Sequence, residues 1–230
     1  MIVAIHQPQY VPWIGYFHKL DQADIFVLLD NVQFKKNEWQ NRNRIKTSQG
    51  WQWLTVPVNY RFPQMISEVR INNRVRWHQK HLQAIQTNYG KASFFKDYLP
   101  ILQEVLSQKW ELLSPLNIHI IKKVAKLLGI DTKLYVCSEL SEEFTSEQSR
   151  RLVEICRYFG AEVYLSGQGG RGYLNMELFQ REGIEVIFQE FNPPIYRQLY
   201  GEFQPNLSII DLLLNCGSKT INLIRGKKGE

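Results

Sequence analysis

An apolar run, Ile2 to Ile5, breaks off at His6-Gln7-Pro8-Gln9-Tyr10-Val11-Pro12-Trp13-Ile14-Gly15-Tyr16, and that break limits the folds open to the chain more than anything after it. The run reads as a buried strand. Pro8 and Pro12 cannot extend it, because each lacks the N–H that a central ladder needs. Beyond them Ile14, Phe17, Leu20 and Ala23 recur at helical spacing, and Asp24 leads into a second apolar run, Ile25 to Leu29, that stops at Asp30-Asn31. Strand, loop, helix, strand in so short a stretch is a βαβ unit, which requires a parallel sheet. Open sheets of this kind bind ligands at the carboxyl ends of their strands. His6, Gln7 and Asp30 stand at those ends. His6 and Asp30 are therefore the candidate catalytic pair: an imidazole there is a proton acceptor, or, when charged, a phosphate ligand. Gln7, Tyr10, Trp13 and Tyr16 are candidate substrate contacts.

The remainder of the chain supports the same class. Asp30 to Gly50 reads as a long polar loop, of the kind that is usually functional inside a compact domain. Trp51 to Val58 and Ile66 to Ile71 read as strands. Trp77, His81, Ile85 and Tyr89 mark one face of a helix over 75–89. A second helix runs from Phe94 to Trp110, interrupted at Pro100, and a third from Leu116 to Leu128. Alternation then returns, with strands at Lys133–Ser138, Val163–Ser166 and Glu185–Phe188. Between and after them come helices at Ser149–Phe159 (capped by Ser146), at Asn175–Glu182 and from Ser208 to Gly217. The expectation is one α/β domain over 1–230, a doubly wound, mainly parallel, Rossmann-like sheet with a helical insertion at about 75–129.

A hydrophobic share of 44% suits a folded chain. No apolar run reaches the length of a membrane span, and the N-terminus has neither a basic region nor a cleavage site of a signal peptide. Cys137, Cys156 and Cys216, odd in number and set among apolar neighbours, read as free buried thiols, which places the protein in the cytoplasm. The net charge of +6 is concentrated in Lys35 to Lys46, Arg70 to His81 and the tail Arg225 to Lys228. A charge this modest, with no nucleic-acid module, points to a phosphorylated small molecule, such as a nucleotide sugar or an acyl carrier, rather than to a nucleic acid.

Two motifs fit that ligand. Ser166-Gly167-Gln168-Gly169-Gly170-Arg171 follows a strand; Ser166, Gly167, Gly169 and Gly170 would bring backbone N–H groups to a phosphate and Arg171 would grip it. The bland alternative is a βα turn, since the glycine spacing matches neither a P-loop nor G-x-G-x-x-G. The run Asn37 to Lys46 offers Asn41, Arg42, Asn43 and Lys46, preceded by Gln33, as contacts for sugar hydroxyls and phosphates; its alternative is a solvated loop. His78 and His81 lack a third ligand nearby, so no metal is expected, and His81 is a packed or substrate-facing histidine. Asp211 fits the N3 position of the last helix. No Ser stands in a nucleophile elbow.

Four segments carry a resemblance: Ile5 to Phe17, Trp39 to Ile45, Tyr164 to Gly167, and Pro205-Asn206-Leu207-Ser208-Ile209-Ile210-Asp211-Leu212-Leu213. Through them the chain resembles the WbqC-like family over essentially its whole length. The resemblance implies a bacterial role in surface-polysaccharide (O-antigen) biosynthesis. The matching expectation is a transferase acting on a nucleotide-activated sugar, with a nucleotide or nucleotide sugar as the only cofactor-like ligand. The opening layout also resembles that of the nucleotidylyltransferases, although Trp13 and Tyr16 stand where that group's H-x-G-H motif has its histidines. Two alternatives stay open beside group transfer: nucleotidylyl transfer from a nucleoside triphosphate, and a non-catalytic module that binds RNA or protein.

Overall fold

In a computed structural model that describes residues 1–226, β1 (Ile2–His6), α1 (Ile14–Asp21) and β2 (Ile25–Leu28) form the opening βαβ unit. The two strands run parallel from Val3↔Ile25 to His6↔Leu28. Two antiparallel pairs follow: β3 (Arg42–Thr47) with β4 (Gly50–Thr55), then β5 (Val58–Asn59) with β6 (Arg70–Ile71). The helices α2 (Trp77–Tyr89), α3 (Phe95–Ser107) and α4 (Leu113–Leu127) come next. The alternating part then returns with β7 (Lys133–Val136), α5 (Gln148–Tyr158), β8 (Val163–Ser166), α6 (Met176–Arg181) and β9 (Glu185–Phe188). Two last helices, α7 (Ile209–Cys216) and α8 (Thr220–Ile224), complete the described chain. No helix in it is long and apolar enough to cross a membrane.

The five long-range strands make one all-parallel sheet in the order β7-β2-β1-β8-β9, a doubly wound α/β sheet with β1 at its centre. Because side chains alternate across a strand, Ala4, Phe26, Leu28 and Leu165 face one way, and α1, the 77–127 helices and α7 cover them. Val3, Ile5, Ile25, Val27 and Tyr164 face the other way, under α5 and α6. The chain thus winds away from β1 in both directions, and the strand order reverses between β1 and β8. There the strands part: β1 pairs with β2 as far as His6, but with β8 only as far as Ala4↔Leu165.

Several local expectations change. The stretch read as one polar loop contains β3, whose inward residues Asn43 and Ile45 are wholly buried. Its polarity hid the alternation, because one of these two inward positions is an amide and the next residue, Lys46, is buried as well. Ile66 to Ile71 is not a strand throughout: Ile66–Glu68 is a 3-10 turn, fixed by the Glu68 carboxylate accepting from Met65 N–H at 3.1 Å. The helix α3 passes through Pro100, since Tyr98, Leu102, Val105 and Leu106 hold it to the core on both sides of the ring. Glu147, not Ser146, caps α5, accepting from Ser149 and Arg150 N–H at 3.0 and 2.9 Å. Cys137 and Cys156 are buried, whereas Cys216 is half-buried. Of the basic tail, Lys227 and Lys228 lie outside the described residues, and Arg225 is held bidentately by Asp21 at 2.7 and 2.8 Å.

Candidate functional site

A cleft of ≈ 900 Å³ opens where β1 and β8 part, at the carboxyl edge of the sheet. Its foot is the end of β1 (Ile5, His6, Gln7), Lys19 from α1, and Tyr164, Gly167, Gly169 and Gly170 from β8 and the turn after it. Leu29 and Asn31 close one side at the end of β2, and Ser146, Gln148 and Arg151 another at the start of α5. The 63–68 loop overhangs it. That loop is tied to the strand-end segment by Ile66 N–H to Val32 O (2.9 Å), Phe34 N–H to Gln64 O (2.8 Å) and Ser67 N–H to Asp30 O (2.9 Å). Three cations line the cleft, Lys19, Lys35 and Arg151, against one carboxylate, Glu68. The amides of Gln7, Asn31, Gln33, Gln64 and Gln148 also reach its wall. Among the described residues no metal-binding group of His, Cys, Asp and Glu assembles.

His6 is neutral in this setting. Burial, followed by the field of Lys19, pushes its imidazole down to about 3. Its Nε2 lies 3.3 Å from the Gln9 amide nitrogen, its ring 4.7 Å from that of Tyr16, and its Nδ1 is buried without a partner. Lys19 is 2% exposed, and its Nζ donates to Ile5 O at 2.9 Å. Burial drives its amine down to about 7, with the Cys156 thiol opposing. Arg151 donates from Nε to Thr145 O at 2.6 Å.

Of the residues singled out from sequence, the cleft gathers His6, Gln7, Gln33, Gly167, Gly169 and Gly170. The others sit elsewhere. Asp30 is a buried latch: it accepts from Ser114 Oγ (3.1 Å), Ser138 N–H (3.0 Å) and Ser138 Oγ (2.8 Å), tying the end of β2 to α4 and to the 3-10 turn after β7. Tyr10 gives its hydroxyl to the His81 ring at 2.8 Å, and His81 meets Thr55 O at 3.1 Å, both deep in the helical side of the core. Tyr16 donates to Gln7 O at 3.2 Å. Trp13 folds back over the first turn of α1 so closely that a Cβ on Gly15 would lie 2.2 Å from its indole.

The Asn/Arg segment proves to be the lock on the loop after β1. Asn43 Nδ2 donates to Tyr10 O (3.2 Å) and Val11 O (2.9 Å), and Ser208 Oγ donates to the same Val11 O at 2.8 Å. These bonds hold Val11 at φ 37°, the left-handed region that a β-branched residue avoids. Asn41 bridges Asn37 N–H and Val56 O, and Gln40 Nε2 donates to Gln7 Oε1 at 2.7 Å. Arg42 lies over the Trp53 ring at 4.1 Å. Lys46 is buried, donating to Gln198 Oε1 (3.0 Å) and to Glu202 O. Ser166 packs under Gly170, where a Cβ would meet its Oγ at 2.1 Å. Arg171 turns away from the cleft, over the Phe188 ring at 4.3 Å and onto Gln168 Oε1 at 3.1 Å.

Sequence reasoning passed over Lys19 and Arg151. A signal existed for the first: Lys19 follows Tyr16 by three and precedes Ala23 by four, a helical stripe whose other members are buried. None existed for Arg151, which enters the cleft because the chain returns from β7 across the switch point.

A model of the WbqC-like protein family matches residues 7–223. The chain is 37% identical over 227 residues, 97% of each sequence, to a protein of Mycobacterium tuberculosis named "Uncharacterized protein Rv1507c". No solved structure matches.

Proposed function

The chain belongs to the WbqC-like protein family, and on that premise we propose a group-transfer enzyme that holds a nucleotide-activated sugar in the cleft between the ends of β1 and β8, in surface-polysaccharide biosynthesis. One observation carries the reading: a cleft of ≈ 900 Å³ lies at the switch point of a parallel sheet, where such folds take nucleotides, and cations outnumber carboxylates on its wall. Its size is that of a small-molecule site. Arg151 and Lys35 suit the diphosphate, Arg151 by its fork geometry. The amides of Gln7, Asn31, Gln33 and Gln64, each both donor and acceptor, suit sugar hydroxyls. His6 is the proton acceptor for the attacking group; an anionic ligand beside it restores the basicity that burial removes. Buried thiols at Cys137 and Cys156 fit a reducing compartment, so we place the reaction in the cytoplasm. Nucleotidylyl transfer is the weaker reading, because Trp13 and Tyr16 stay out of the cleft.

Thermal-shift screening against nucleotide sugars tests it, since a ligand that binds only the folded state raises the melting temperature. The expected pattern is a shift with a subset of nucleotide sugars, absent in Arg151→Ala. His6→Ala should keep the shift and lose turnover. No shift with any nucleotide or nucleotide sugar would overturn the proposal.

A further inference from the structure

The gap between β1 and β8 has an unusual occupant. Parallel pairing stops at Ala4↔Leu165. The carbonyl of Ile5, which the next rung of that ladder would take, accepts instead from Lys19 Nζ at 2.9 Å. α1 packs on one face of the sheet, yet the group that bears on Lys19 most strongly after burial itself is the Cys156 thiol of α5, on the other. The lysine therefore reaches into the split in the sheet, at the foot of the cleft that it lines.

A buried ammonium normally has a carboxylate partner. Lys19 has none among the described residues: one neutral carbonyl serves an amine with three N–H donors. The ionisable groups around it offer no substitute. From β1 comes neutral His6, from β8 the buried Tyr164 hydroxyl, and from α5 the Cys156 thiol and the Arg151 cation. On its own helix Asp21 is taken by Arg225, and His18 meets the Gln189 amide. Glu68 and Lys35 stand on the overhanging side of the cleft.

We propose that Lys19 Nζ is the seat for an anionic phosphate oxygen of the ligand, and that the amine takes up a proton when that anion arrives. The inference rests on the reading of the cleft as a phosphate-ligand site and deepens it. It adds Lys19, at the split between β1 and β8, to Arg151 and Lys35 as a phosphate contact. With the cleft empty the amine is near half-charged at neutral pH; an anion in contact favours the ammonium and raises its proton affinity by about 1–3 pH units.

Titration calorimetry with uridine diphosphate at pH 8, in two buffers of different ionisation enthalpy, tests this. The ligand's phosphates are already ionised at that pH, so proton uptake reports the protein. The wild-type protein should take up about half a proton or more per ligand bound. Lys19→Met, which keeps the length of the side chain, should bind at least about tenfold more weakly and show no uptake. Binding by the wild type without proton uptake would overturn the assignment, whether or not the variant folds; so would undiminished binding by a folded Lys19→Met. Where the thermal-shift screen singles out another nucleoside diphosphate, that one replaces uridine diphosphate; if the wild type binds none of them, the phosphate-ligand reading itself falls, and the assignment with it.

Discussion

Two regions of this chain are dense in polar side chains, and they do opposite things. Between Gln40 and Lys46 the amides and the lysine are spent on the protein: Asn41, Asn43 and Lys46 are as buried as the core and bond to backbone and side chains of the loops around them, while the guanidines of Arg42 and Arg44, whose Nε atoms have no acceptor, lie against the Trp53 and Trp51 rings. In the cleft Gln7, Gln64 and Arg151 are partly engaged, but other polar groups are left over. His6 Nδ1 and Asn31 Oδ1 have no partner, and Lys19 has a single acceptor. The sequence makes the first region look like the site, because amides and guanidines are crowded there. The structure makes the second the candidate, because burying an unsatisfied group costs free energy that a ligand can return. Density of polar residues says little; whether they are already satisfied says much.

The comparison breaks most visibly at Asn43. Its side chain serves two carbonyls and accepts from Arg44 N–H at 2.8 Å, with no exposed surface. Asn43→Ala strands these groups and releases the strained Val11, which should destabilise the protein by about 3–5 kcal/mol, a large part of the ~5–15 kcal/mol that a domain has. Urea denaturation measures this. A variant of unchanged stability that no longer binds ligand would return the Asn/Arg segment to the site.

The second effect is smaller and belongs to the cleft. In the folded protein Lys19 titrates near 7, in the unfolded chain near 10.5. Between these values the unfolded chain binds the extra proton, so stability rises with pH. The slope is about 1.4 kcal/mol per pH unit, or about 2 kcal/mol from pH 7 to 8.5. Below 7 both states carry the charge and the burial penalty is felt in full. The raised thiols of Cys137, Cys156 and Cys216 act in the opposite sense, through the unfolded thiol range near 9, so the measurement is the difference between wild type and Lys19→Met. Denaturation curves across this range should diverge by that amount. Parallel curves would mean that the lysine is ordinarily solvated.

The sheet was legible because apolar runs of four or five residues bounded by Pro, Gly, Asp and Asn admit few readings, as at Ile2–Ile5, Ile25–Leu28 and Val163–Ser166. The switch point follows from that alternation, and with it His6, Gln7 and Gly167 at the strand ends. β3 was not legible, since an Asn that fills a buried position looks like a surface residue until its acceptors, Tyr10 and Val11, are known. Asp30 misleads for the same reason: a carboxylate at a strand end suggests catalysis, and only the positions of Ser114 and Ser138 show it to be a latch. Lys19 and Arg151 meet at the cleft through tertiary crossing, which spacing along the chain does not encode.

The smallest expected effect sharpens the contrast at its edge. Gly167 and Gly169 line the cleft, but Arg171, in the same glycine-rich turn, packs outward on Phe188. A cation–π contact at an exposed site is worth about 0.5–1 kcal/mol, so Arg171→Ala should lower stability by no more than that. Its affinity for a nucleotide sugar should stay within about twofold of wild type, whereas Arg151→Ala loses the ligand. Calorimetry on the two variants separates them. Loss of affinity in Arg171→Ala would mean that the turn reorganises around the ligand and that the glycines serve to let it do so. Retained affinity would leave them the narrower task that the geometry gives Gly170, which is to let the turn close over Ser166 where any Cβ would collide.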